Sequence, residues 1–547
     1  MKKRIMTALL VMAMMTITLV GCGGGNTPTE DTGDFANESK EILEGEADAT
    51  VEDTITVSVK NEQGVEAGWK AVAEAYSAKH PGVRVVVDLK PGDEYDEWVK
   101  NAFQTEGSSA DIVNINLAGD TKTGKSINFN DYIDNDSPYS DGIWKDQFEY
   151  GAQNINMATG EFDALSLESV QVLWLYNMDI FNEVGVEVPT TWDELMEVSE
   201  KLLAAGYQPF AIPGDFKSFY AGKMGWLAQI YADQTTRSMV ELVKAQPGDF
   251  CYDPEIDSLF KYDPSDPFND DANKVTQNAV RAMAAVRDGE FTADTVGMRT
   301  VWKNFAEAFP KYAGGEAFWG TDDNGAKALF YQGKAAMRVD GGWGIVNFMR
   351  DMKTLAESGE ILDPNGNPIE ETIAFELGSF NMPSMEGEGI EAKARTIEVP
   401  AGFLGAISKT QEHDDLVVDF LMFYSSKEGM STFVNAALAN GAVPNGPSLV
   451  YGVQYPDEIN AAFADLTFIG NCQKDFGSLL ARGIGESAET YRAFYDYSQE
   501  YLRGNISLEE WITKHQKNIM DNFENAALEK GVGPSDIDNP KNEPTGN

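Results

Sequence analysis

Hydrophobic and polar positions along this chain repeat with two periods, and the switches between them mark out its elements. Ile55, Val57 and Val59 alternate with Thr54, Thr56 and Ser58, which predicts a strand over 54–60 with one face buried. A helix over 66–79 stops before Pro81-Gly82, where proline restrains the preceding residue. A strand over 83–89, a helix over 94–105 and a strand over 111–115 follow. This βαβαβ order predicts a parallel sheet with helices on both faces. Such sheets place ligands at the carboxyl ends of their strands. Asn61 and Glu62 after the first strand and Asn116 after the third are therefore candidate polar contacts, although any one of them is also at home in a solvated loop.

A second patterned stretch begins near Gln171. Val172, Trp174 and Tyr176 alternate with Leu173 and Leu175, which fits a buried strand. A short helix over 179–184 ends at Gly185, suited to a left-handed cap. Thr191-Trp192-Asp193-Glu194 has the spacing of a capping box and opens a helix to about residue 205. Residues 207–213 read as a strand, and 215–232 as a helical region carrying Phe216, Phe219, Tyr220 and Trp226. Further on, 335–339 is a predicted strand, Gly341-Gly342 a tight turn, and Trp343 the start of a helix to about 353. A strand over 375–383 and a helix over 415–425 come next. The last two predicted helices span 488–502 and 508–527, the latter capped by Ser507 and Glu510.

Composition narrows the function classes. At 547 residues the chain exceeds a single core. Its formal charge of −46 repels phosphate backbones, so nucleic-acid partners are disfavoured. Three histidines (His80, His413, His515) have no metal-ligand spacing, and no metal or cofactor is expected. Aspartates 253, 257, 263, 266, 270 and 271 could suit calcium, but their spacing is not that of an EF-hand loop. Lys2, Lys3 and Arg4 precede an apolar run over 5–20, the form of a secretory signal. Residues 23–53 are acidic and poor in apolar side chains, as expected of a disordered tether. Cys251 and Cys472 could be bridged or free.

The motifs go further. Tyr176-Asn177-x-Asp179-x-Phe181-x-x-x-Gly185-x-x-x-Pro189-x-Thr191-Trp192-Asp193-Glu194-Leu195 resembles the signature segment of family 1 extracellular solute-binding proteins, the sugar-binding lipoproteins of bacterial ABC importers. Phe330-Tyr331-Gln332-Gly333-Lys334-Ala335-Ala336-Met337 with Asp340-Gly341-Gly342-Trp343 resembles a second motif of that family, and Leu19-Val20-Gly21-Cys22 resembles a lipobox. The resemblance implies an α/β, two-lobed periplasmic-binding-protein-like fold, each lobe a mainly parallel sheet flanked by helices, joined by a hinge. It implies a lipoprotein signal peptide over 1–21, an acyl-bearing Cys22, and a flexible tether over 22–53. The first lobe is then 54–165 plus 401–450, the second 166–400 plus 451–530, with a disordered tail over 531–547.

By the same resemblance the protein is a monomer held by its lipid anchor on the extracellular face of the cell membrane. It captures a carbohydrate, an oligosaccharide by preference, and delivers it to ABC transporter permease subunits without covalent chemistry. Trp343 would stack on a sugar ring and Asp340 would accept hydroxyl hydrogen bonds. Trp226, Trp319, Glu168 and Asn116 complete the candidate ligand-binding set. The alternatives are an extracellular glycoside hydrolase, which needs a pair of carboxylates about 5–9.5 Å apart, and a nutrient-sensing subunit that uses the same closure. The resemblance is weakest over 132–163 and 232–319, which read as longer or more irregular than a compact member.

Overall fold

The computed structural model describes residues 52–546 apart from 93, 154, 156–159, 364, 365, 465, 474, 475 and 486. The expected signal peptide, Cys22 and the tether as far as residue 51 lie outside the described residues. In chain order the strands are β1 (Asp53–Lys60), β2 (Val83–Lys90), β3 (Ile112–Asn114), β4 (Glu168–Asn177), β5 (Gln208–Phe210), β6 (Ala335–Gly341), β7 (Leu377–Phe380), β8 (Glu398–Ala401) and β9 (Leu404–Ala406). The helices used below are α1 (Val65–Lys79), α2 (Tyr95–Gln104), α3 (Trp192–Ala204), α4 (Lys223–Asp233), α5 (Trp343–Ser358), α6 (Gln411–Tyr424), α7 (Lys427–Ala439), α8 (Ala488–Leu502) and α9 (Leu508–Glu529).

The first lobe is built on a sheet of order β2-β1-β3-β9. β1 runs parallel to β2 and β3, as the βαβαβ pattern requires, and β9 closes antiparallel on β3. Its core gathers Ile55 and Val57 of β1, Trp69 and Tyr76 of α1, Trp144, Phe420 of α6 and Phe433 of α7. Each large side chain removed from water there contributes roughly 1.5–3 kcal/mol.

The second lobe has the order β5-β6-β4-β7. A mainly parallel sheet was expected here too, but only β5–β6 is parallel; β4 runs antiparallel to β6, β7 and β8. The reason is connectivity. β4 enters this lobe directly from the first and takes the centre of the sheet, so its neighbours meet it running the other way. Fully buried Trp174, Trp302 and Trp511 anchor the surrounding core. Both predicted capping boxes form: Thr191 with Glu194 at the start of α3, and Ser507 with Glu510 at the start of α9.

Chain crossings define the hinge. The first half of β4 pairs with β8, in register from Glu168↔Ala401 to Gln171↔Glu398, while its second half pairs with β6 and β7. A third segment passes alongside, since Ser169 N and Oγ both donate to Pro447 O, at 3.1 and 2.7 Å. The lobes also meet where Val346 of α5 packs with Ile459 and Phe463 against Leu438 and Val443.

One region departs from expectation. Residues 531–546, expected as a disordered tail, pack on the second lobe. Val532 is buried, Phe250 N and Asn278 Nδ2 donate to Pro540 O, and Asp536 accepts from Gly533 N and Gly546 N. The backbone groups of this Pro/Gly-rich segment find partners despite its polar composition. The clustered aspartates are turn caps. Asp257 accepts from Asp253 N and Thr276 N, Asp263 from Ser265 N, and Asp270 pairs with buried Arg395. Cys251 and Cys472 are not joined by a disulfide, and burial pushes the Cys251 thiol up to about 12. Among the described residues no helix is long and apolar enough to cross a membrane.

Candidate ligand-binding cleft

Against the hinge lies a cavity of about 400 Å³, within the roughly 300–1,000 Å³ usual for small-molecule sites. Lys60, Glu62, Asn114 and Asn116 reach it from the carboxyl ends of β1 and β3, where the parallel topology predicts polar contacts. Asn116 is exposed. Asn114 is held in place, its N–H donating to Tyr95 Oη (2.9 Å) and its Oδ1 accepting from Lys60 N (3.1 Å). Trp69 of α1 and Tyr424 of α6 form the apolar floor, stacked with ring centroids 4.6 Å apart.

Glu168, the first residue of β4, lines the same cavity and accepts from Asn445 Nδ2 at 2.8 Å. Its burial pushes the carboxyl up; the Asn445 hydrogen bond opposes this and nearby Glu62 adds to it. The tyrosines facing it respond in kind: burial, then the Glu168 charge, push up Tyr424 and Tyr455.

The second lobe contributes the turn from β6 into α5. Here a cavity of about 280 Å³ is lined by Trp343, Asp340, Lys223, Arg338 and Asn347. Asp340 is engaged more heavily than the sequence suggested. Its Oδ1 accepts from Lys223 Nζ (2.9 Å) and Gly341 N (3.0 Å), and its Oδ2 from Arg338 Nε (2.9 Å). Of about four lone-pair positions on a carboxylate, one is left for a solute. Burial disfavours its charge, but Arg338 and Lys223 outweigh that and hold the carboxyl well below the usual range. Arg338 is bridged in turn to Asp323 by its Nη2, at 3.0 Å.

This charge network positions aromatic rings. Lys223 Nζ lies 4.2 Å from the centroid of the Trp226 ring, a cation–π distance. Trp226 meets Trp343 edge to face at 6.2 Å, and both are half-buried. The Trp343 ring folds back over Gly341, where a Cβ would lie 2.3 Å from its Cζ3, so only glycine admits this placement. The backbone of Gly342 passes close to Asn445, whose O would be 3.1 Å from a Cβ there. The turn from β6 into α5 thus runs beside Asn445, which lines the hinge-side cavity.

Trp319 does not join this group. It sits in the core of the second lobe against Phe219 and Phe318, with the Arg503 guanidinium 5.1 Å over its ring. Residue type alone does not reveal this packing. The sequence reading passed over Lys60, Asn114, Trp69, Tyr424, Asn445 and Lys223. Lys60 closes a predicted strand and Asn114 lies one residue before the end of another, so both were reachable by the strand-end rule. Lys223 depends on a partner 117 residues away.

The model of the bacterial extracellular solute-binding proteins matches residues 60–431. The chain belongs to that family. Solved structures share the fold of this solute-binding protein at low identity. One is a family 1 extracellular solute-binding protein from Bifidobacterium longum subsp. infantis, at TM-score 0.52 and 15% identity, covering 86% of this chain and 100% of that one. Another is the cyclic alpha-maltosyl-1,6-maltose binding protein of Arthrobacter globiformis, at 0.53 and 14%, covering 86% and 99%. Apo RafE of Streptococcus pneumoniae aligns at 0.51 and 16%, covering 85% and 97%. The solute-binding fold is common to all three.

Proposed function

We propose that this solute-binding protein captures a carbohydrate between its lobes and delivers it to an ABC importer, anchored outside the membrane through acylated Cys22. The observation that carries the reading is the pair of half-buried tryptophans, Trp343 and Trp226, set edge to face beside the second-lobe cavity, together with the hinge-side cavity rimmed by amides and carboxylates. Aromatic faces take the apolar side of a sugar ring, and the polar rim reads hydroxyl positions. Trp343 and Trp226 form the stacking wall, Glu168 and Asn116 the polar one, and Asp340 serves chiefly to position the rings. One structural neighbour is named as a cyclic alpha-maltosyl-1,6-maltose binding protein.

Thermal unfolding of a soluble form beginning at Gly23, against mono- and oligosaccharides, tests this. A ligand at 100 times its dissociation constant stabilises the native state by about 2.7 kcal/mol. A selective shift with the sugar recovered intact supports binding; recovery of cleaved sugar moves the assignment to a hydrolase; no shift with any sugar rejects the carbohydrate class. Incorporation of labelled palmitate, abolished by Cys22→Ala, tests the anchor. Co-purification with permease subunits from detergent-solubilised membranes separates import from sensing.

A further inference from the structure

Charge around the cleft is balanced on one wall and unbalanced on the other. On the second-lobe wall the cations are spent. Arg338 reaches Asp340 and Asp323 at 2.9 and 3.0 Å, and Lys223 reaches Asp340 at 2.9 Å. In the hinge-side cavity two carboxylates, Glu168 and exposed Glu62, share the lining with Lys60. That lysine is turned toward α2. Its Nζ lies 3.9 Å from Asp96 Oδ1, and its Cε lies 3.2 Å from where a Cβ on Gly92 would stand. Among the described residues no lysine, arginine or histidine pairs with Glu168 or Glu62. What acts on the Glu168 carboxyl is burial, the Asn445 amide at 2.8 Å, and the like charge of Glu62.

A carboxylate drawn into a cavity without a cation is costly, and a second carboxylate nearby adds to the cost. The same cavity also has hydrogen-bonding capacity to spare. Trp69 and Tyr424 are 3% and 5% exposed, yet neither the indole N–H nor the phenol hydroxyl has a protein partner among the described residues. Buried polar groups are normally satisfied. The cavity is therefore short of positive charge and of polar partners at once.

We infer that the solute is an amino sugar, a saccharide whose protonated amine is held by Glu168 and Glu62 while its hydroxyl and ring oxygens meet Trp69 and Tyr424. This rests on the reading of the cleft as a saccharide site. A sugar hydroxyl can also donate to Glu168, but it leaves the charge uncompensated. An ammonium group supplies both the donor and the charge, and such charge-assisted bonds are the stronger ones. N-acetylation removes that charge and with it the advantage. Uronic acids are disfavoured, because their carboxylates would meet Glu168 and Glu62. The formal charge of −46 on the chain acts in the same sense, drawing cations and repelling anions.

Titration calorimetry on sugars that differ in one substituent tests this, at a pH where the amine is protonated. The probes are glucose against glucosamine, galactose against galactosamine, and cellotriose against the chitosan trimer and its N-acetylated form. The expected result is that, on a backbone that binds, the amine form is tighter than the hydroxyl and acetylated forms by about tenfold or more, and that Glu168→Gln brings the ratio close to one. Glutamine still accepts from Asn445; if the variant fails to fold, the wild-type ratios decide. Hydroxyl or acetylated forms that bind as tightly as the amine, or a preference that survives in Glu168→Gln, overturn the amino-sugar assignment and leave the carbohydrate reading standing. Binding of spermidine, a cation without a ring, as tight as that of the amino sugar also overturns it. If no saccharide binds in any form, the carbohydrate reading falls and this assignment with it.

Discussion

The two walls of the cleft are made differently. The first-lobe wall is a set of strand ends: Lys60 and Asn114 stand where parallel strands stop, joined by a hydrogen bond between them and by one to Tyr95, with exposed Asn116 just beyond. The second-lobe wall is held by charge. Asp340, Lys223 and Arg338 are buried together, and the rings of Trp226 and Trp343 take their places from that cluster. The first wall can lose a side chain at small cost. The second cannot, because removing one buried charge strands the others.

The largest expected effect follows from that contrast. Asp340→Ala leaves Lys223 and Arg338 buried beside each other, and urea unfolding is expected to show a loss of about 3–5 kcal/mol. A loss below 1 kcal/mol would mean that the cluster is solvated and does not hold the wall. Next is Trp343→Ala, expected to weaken saccharide binding by about 2 kcal/mol, roughly 30-fold, as an aromatic hot spot does. Titration calorimetry checks this, and unaltered affinity would take the ring out of the site.

Glu168 lies between the walls, and its effect is one of pH. Its carboxyl is pushed up, chiefly by burial, so it protonates at a pH above the ordinary glutamate range. Saccharide affinity is expected to drop in wild type as pH falls through that raised pKa and to stay flat in Glu168→Gln. For stability the sign is opposite: ionised Glu168 costs folding free energy at high pH, and that cost is relieved as pH falls through the folded pKa. Parallel pH profiles in the two proteins would dissociate Glu168 from the ligand. The smallest effect is that of Asn116→Ala on the exposed first wall, at most about 1 kcal/mol in affinity, with the unfolding midpoint unchanged. A larger fall in stability would erase the distinction between the walls.

The same contrast explains what could be read beforehand. β1, α1, β2 and α2 announce themselves by period, proline and glycine, and their parallel order follows, so the place of Asn116 at a cavity beside the strand ends follows from local rules. The capping boxes at Thr191 and Ser507 are short-range chemistry and form as spaced. Asp340 was found by its motif, but its occupation was not, because Lys223 lies 117 residues away and becomes a neighbour only through the fold. Trp319 has the same residue type as Trp343 and a glycine beside it, yet packs inward; tryptophan marks a large apolar surface without saying what covers it. The antiparallel setting of β4 was hidden for a related reason. Period two reveals a strand and its buried faces, not the direction of its neighbours.

The pairing of β3 with β9 joins Ile112 to Ala406, a separation of 406 − 112 = 294 residues. Between them lie the rest of the first-lobe core, with Phe129, Trp144 and Phe162, and most of the second lobe, whose core is completed by Phe494 of α8 and Trp511 of α9 beyond β9. Neither lobe is therefore whole until the chain past β9 has come back: the first lacks α6 and α7, the second α8 and α9. Loop-closure entropy makes such long-range docking costly in time. Refolding should accordingly protect the amides of β1 and β4 in one late stage, and early protection of β4 and β6 alone would show that the second lobe forms without α8 and α9.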